Sequence, residues 1–145
     1  MIILYLYKMK SLDKNTLFSI FEAGDEEIYK EYDMEGVLEN PYVLMGMVLS
    51  GIQNFELMNL MFSRNFPKEY KNVSHKIKYK YYCKLFGYLT RIDLNRLEEI
   101  YTIGESYPKQ DVFEGLDELR VYFESLEQYE KCSTIKQYQD HLIYN

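Results

Sequence analysis

An all-α fold is what the sequence predicts: one compact domain of five to seven helices over residues 1–145, with a C-terminal αα-hairpin and a short extended N-terminal segment. Three observations lead there. Near the C-terminus, two capping boxes each open a stretch whose apolar residues recur at helical spacing. Asn40 and Pro41 introduce a long stretch, to about Phe62, in which Glu56 is the only charge. Residues 2–7 alone have the aromatic and β-branched make-up of a strand, and one strand cannot be stable by itself. A length of 145 residues with 47% apolar content is enough to bury a core without disulfides or a metal, and it excludes wholesale disorder.

Taken in order, residues 2–7 are expected to lie extended across the core or to pair with a partner chain. Asp13 caps a helix through Glu22, with Leu17, Ile20 and Phe21 inward, and Gly24 ends it. Asp25, Glu26 and Glu27 open a second short helix, where carboxylates suit the positive end of the helix dipole. Residues 33–39 read as an acidic loop. The Asn40 cap with Pro41 at the first helical position starts the next helix. Being apolar nearly all round, it is expected to be the central, buried one. Asn65, Phe66 and Pro67 break the chain; Ser74 then caps a helix over residues 75–91, and Asp93 caps another that stops near Gly104. After a loop at Pro108, the Asp111 to Glu114 box opens a helix ending near Glu124, and the Ser125 to Gln128 box opens the last one. Leu116, Leu119, Tyr122, Phe123 and Leu126, then Tyr129, Cys132, Ile135, Tyr138 and Leu142, form the facing apolar rows of a hairpin over residues 110–143.

Leu126, Tyr129, Glu130, Cys132, Ile135, Lys136 and Leu142 resemble the second half of a UVR-type hairpin of bacterial excision-repair proteins. That motif sets an aromatic-Glu pair before small residues, a Leu-Arg-Asp run and later Ile and Leu. Gln137 and Gln139 depart from it, standing where the family has Asp and an apolar residue. The resemblance covers roughly thirty residues. It implies a helical hairpin that binds another protein.

Charge is segregated along the chain. Residues 11–63 carry two basic and ten acidic groups, residues 64–96 nine basic and two acidic, and residues 97–145 four basic and eleven acidic. Overall the formal charge is −6, against a protein that coats nucleic acid with its whole surface. Within the basic third, Lys76, Lys80, Lys84 and Arg91 recur at helical turns, with Tyr79, Tyr82, Phe86 and Leu89 toward the other side. Such a stripe neutralises phosphates, with Tyr81 or Tyr88 stacking on bases, or it is a solvated face beside the acidic thirds of its own chain. As a third possibility, basic and acidic surfaces meet between copies. On the helix after Pro41, Met47, Ser50, Asn54, Met58 and Met61 form a seam flanked by Gly46 and Gly51. It is either a groove for a partner's helix or part of the core; Val48, Ile52, Phe55 and Phe62 on the opposite line are core.

Catalysis is not expected. His75 and His141 are the only histidines, adjacent carboxylates such as Glu98 and Glu99 diverge on a helix, and no Gly-rich phosphate loop or nucleophile motif occurs. Glu69 and Lys71 have the spacing seen in some nucleases but lack an upstream Pro-Asp. Cys83 and Cys132 lack the paired spacing of zinc ligands and read as reduced thiols of an intracellular protein. Neither a cofactor nor a metal is implied, and no small-molecule substrate. Residues 1–8 lack the features of a signal peptide and no stretch is long enough to span a bilayer, so a cytoplasmic location, in a host cell or a virion, is expected. With 16 Tyr, 8 Phe and a single alanine at Ala23, residue usage matches AT-rich genomes such as those of bacteriophages. The expectation is therefore a non-catalytic helical protein–protein interaction protein, an assembly, adaptor or regulatory component that binds a protein partner or itself. The alternative is a nucleic-acid-associated protein. Tyr5, Tyr7, Tyr79, Tyr88, Tyr101 and Tyr144 are the expected interface aromatics.

Overall fold

The computed structural model describes residues 39–144, and these form five helices and no strand. They are α1 (Pro41–Asn65), α2 (Pro67–Thr90), α3 (Leu97–Ser106), α4 (Lys109–Ser125) and α5 (Tyr129–Tyr144). The extended segment 2–7, the helices expected from Asp13 and Asp25, and residues 33–38 of the acidic loop lie outside the described residues. Contacts divide the described chain into two units, residues 54–83 and residues 39–53 with 84–144.

The start of α1 follows from its sequence. The Asn40 side-chain oxygen accepts the N–H of Tyr42 at 2.9 Å and that of Val43 at 3.4 Å, and Pro41 occupies a position whose missing N–H would have been orphaned anyway. The helix runs to Asn65, past Phe62, and is not buried all round. Leu44, Met45, Val48, Ile52, Phe55, Met58 and Phe62 face inward, while Leu57 and Leu60 are 50% and 49% exposed. Low charge made the helix look central; the inward side is set by which apolar residues find neighbours.

Only Phe66 separates α1 from α2. A residue before proline is driven out of the helical region, so the chain does break there, yet Pro67 restarts a helix at once. Phe66 accepts the first bond of the new helix, from the Tyr70 N–H at 2.9 Å. Ser74 is therefore inside α2 and caps nothing.

In the unit of residues 54–83, aromatic rings do the packing. Phe55 lies 5.2 Å from Tyr81 and 5.4 Å from Tyr82, and Phe62 stacks on Tyr70 at 5.5 Å. The Tyr70 hydroxyl donates to Asn59 Oδ1 at 2.7 Å, giving a buried phenol its partner. Lys78 lies along this cluster with its ammonium 5.4 Å from the Tyr82 ring centre.

The other unit is organised by the hairpin. Val112, Leu116, Leu119 and Phe123 of α4 and Ile135, Tyr138, Gln139 and Leu142 of α5 are buried. Close approach needs small residues: a Cβ on Gly115 would fall on Leu49 Cδ2, and one on Gly51 would come within 2.5 Å of Leu85 Cδ2. Tyr107 stacks on Tyr42 at 5.2 Å, and its hydroxyl donates to the Tyr42 carbonyl at 2.9 Å.

Three helix starts differ from expectation. Asp93 does not cap α3: its side chain closes a local turn on the Asn95 N–H, its own N–H donates to Glu99 Oε2 at 2.9 Å, and the helix begins at Leu97. Pro108, extended and without an N–H, precedes α4, which places Asp111 inside the first turn. Ser125 ends α4, its hydroxyl turned back to the Tyr122 carbonyl, and does not open α5. The hairpin turns through a Schellman motif instead, with Gln128 N–H bonded to the Phe123 carbonyl at 3.0 Å and Glu127 N–H to that of Glu124 at 2.9 Å. Glu127 takes the left-handed conformation, φ 60°, that this motif demands.

Candidate interaction surfaces

Helix α2 builds the first surface. With Tyr70, Val73, Ile77, Tyr81 and Tyr82 inward, its first turns present Lys68, Lys71, His75, Lys76, Tyr79 and Lys80 to solvent, and Glu69 is the one carboxylate among them. Lys68, Lys71 and Lys76 enter no ion pair among the described residues. Of the expected basic stripe, Lys76 and Lys80 are exposed and Lys84 is half-buried at the next turn. Arg91 falls in the turn just past the end of the helix, its N–H bonded to the Tyr88 carbonyl. The aromatics beside the stripe are placed differently from the expectation. Tyr81 and Tyr88, nominated to stack on bases, are buried, whereas Tyr79 is 37% exposed.

The methionine seam on α1 does not form one continuous exposed line. Met58 is buried, Met47 and Met61 are half-buried, and Ser50 and Asn54 are exposed. Gly51 accommodates Leu85 and Gly46 accommodates the Tyr107 hydroxyl. Val48, Ile52, Phe55 and Phe62 are core, as the apolar line predicts.

The hairpin tip is the second surface, and sequence periodicity missed it by assigning Leu126 and Tyr129 to the apolar rows. Leu126 is 42% and Tyr129 63% exposed, on either side of the left-handed Glu127. Glu124, Glu127 and Glu130 surround them, all exposed. Glu124 takes one arm of Arg120 at 2.9 Å, and Asp117 takes the other at the same distance. Glu127 and Glu130 enter no ion pair among the described residues. Beneath the tip, Lys131 lies 5.7 Å from the Phe86 ring centre and 5.8 Å from that of Phe123, so its charge is turned toward aromatic faces. The density of carboxylates between Glu124 and Glu130 was the available signal for this site.

Of the expected interface tyrosines, Tyr101 and Tyr144 are exposed, Tyr79 partly so, and Tyr88 is buried; Tyr5 and Tyr7 lie outside the described residues.

The Cys132 thiol donates to the Arg120 carbonyl at 3.4 Å, and burial, with Glu124 nearby, pushes its pKa up, keeping it protonated. Cys83 is free and half-buried. His141 Nδ1 lies 2.8 Å from the Gln137 carbonyl one turn back, and His75 is exposed. Among the described residues, no three His, Cys, Asp or Glu side chains are grouped to hold a metal ion, and no helix is long and apolar enough to cross a membrane. No family model, curated protein or solved structure matches the chain.

Proposed function

We propose that this protein is a non-catalytic helical protein–protein interaction protein, serving as an assembly, adaptor or regulatory component of phage-like origin. The observation that carries the reading is the hairpin tip. Two large apolar side chains, Leu126 and Tyr129, stand out to solvent at a turn fixed by two backbone hydrogen bonds, inside a rim of carboxylates. Exposed aromatic and aliphatic anchors on a rigid element, ringed by charge, are what protein interfaces are made of. The UVR-type resemblance of the hairpin points the same way. The test is capture from an extract of the native host with the full chain as bait, beside a bait carrying Leu126→Ser and Tyr129→Ser. A discrete partner retained by the first and lost by the second is the expected result. Identical prey on both baits would remove the tip from the account.

A second reading, association with nucleic acid through Lys76, Lys80, Lys84 and Arg91, draws on the exposed lysines of α2. It requires single-stranded oligonucleotide binding that weakens steeply as salt rises.

A further inference from the structure

We infer that the hairpin tip of one copy docks on the basic face of α2 of another, a head-to-tail contact that makes this protein a self-associating subunit. The inference rests on the interaction reading above and names the partner. Both surfaces carry charge that the described structure leaves without an ion-pair partner: Lys68, Lys71 and Lys76 on one, Glu127 and Glu130 on the other. All five side chains are exposed, so the structure already presents them at its surface. Lys68 and Lys76 lie about 12 Å apart along the axis of α2, at 1.5 Å per residue. With Lys71 they spread over the outward side of the helix, opposite the buried Tyr70, Val73 and Ile77. The sequence balance is equally matched, nine basic against two acidic groups over residues 64–96 and eleven acidic against four basic over residues 97–145.

Charge supplies steering and register, and Leu126 and Tyr129 supply the apolar area that charge alone does not. The exposed Tyr129 ring also offers its face to a lysine ammonium. Because the two surfaces are different, the contact is heterologous: each copy retains one unused face, so association continues until a ring closes or a chain of subunits forms. A second copy supplies charge complementary to both surfaces, whereas nucleic acid would engage the lysines alone.

Sedimentation velocity of the full chain, over a range of concentrations, tests this at about 0.1 M and about 1 M salt, where the screening length falls from about 10 to about 3 Å. Average mass should rise with concentration at the lower salt and return toward the monomer at the higher. Two variants with unchanged helical circular dichroism complete the test: Lys68→Gln with Lys71→Gln and Lys76→Gln, and Glu124→Gln with Glu127→Gln and Glu130→Gln. Each alone should self-associate at least about tenfold more weakly than the wild type. Mixed in equal amounts they should form a 1:1 pair that grows no further, because one supplies the tip and the other the basic face.

A wild type that stays monomeric throughout overturns the proposal, whether or not it binds an oligonucleotide. So does association that either variant leaves intact, or a mixture that forms no pair. A monomer that still captures a host partner through Leu126 and Tyr129 would sink the self-docking and leave the interaction reading standing.

Discussion

The Tyr138 hydroxyl donates to the backbone carbonyl of Ile92 at 2.6 Å, tying the middle of α5 to the turn between α2 and α3. The two residues are 46 positions apart and both are buried, so the bond is shielded from competing water. Tyr138→Phe keeps the ring and strands the carbonyl. It should cost about 1–2 kcal/mol, read from urea unfolding as a lower midpoint with an unchanged slope.

Glycine to alanine should have opposite signs at two sites. At Gly51 the new methyl would meet Leu85, itself buried, so Gly51→Ala should destabilise by about 1–3 kcal/mol through overpacking. At Gly87, on the exposed side of α2, nothing beyond the adjoining helix backbone and chain neighbours lies within 4 Å of the added carbon. Gly87→Ala should stabilise by about 0.5–1 kcal/mol from helix propensity alone. Thermal melts of the two variants beside the wild type check the contrast.

Glu127 occupies a position that Schellman turns usually give to glycine. Glu127→Gly relieves the left-handed strain and should raise stability by about 0.5–1 kcal/mol, whereas Glu127→Val should lower it. Equal melting temperatures for the two variants would contradict this account of the turn.

Alkaline pH should loosen the unit of residues 54–83. Burial pushes the Tyr70 pKa up to about 12, from an ordinary value of 10.0. Burial, with Asp93 and Glu99 nearby, also raises that of Tyr138 in the other unit. Between pH 10 and about 12 the unfolded chain gives up the Tyr70 proton while the folded chain keeps it. Stability present below pH 10 is therefore lost as pH rises through this window. Tyr70→Phe should be less stable at neutral pH by about 1 kcal/mol, having lost the bond to Asn59, and should show a flatter alkaline decline.

The helical fold class and the inward rows of the hairpin were legible because their signals are periodic and local. Leu116, Leu119 and Phe123, and Ile135, Tyr138 and Leu142, lie where their spacing puts them. The Asn40 cap was equally legible, since an Asn before Pro at a helix start has few other uses. Capping boxes at Asp111 and Ser125 misled because the same residue types serve inside a first turn or back-bond at a helix end. Leu126 and Tyr129 escaped for a related reason: the apolar repeat continues past the turn in sequence, while the turn itself carries both side chains to the surface. No pattern in one dimension separates Tyr81, held against Phe55, from Tyr79, two residues away and partly exposed.

The single-residue joint at Phe66 has a consequence for how this chain can be cut. Phe66 donates its N–H to the Phe62 carbonyl at 2.8 Å and accepts the Tyr70 N–H, so both its backbone groups are occupied. A protease needs several residues of pliable main chain to seat a substrate, and the span from Pro41 to Thr90 offers none. Limited proteolysis of the full chain, read by mass spectrometry, should therefore show no cut between Pro41 and Thr90.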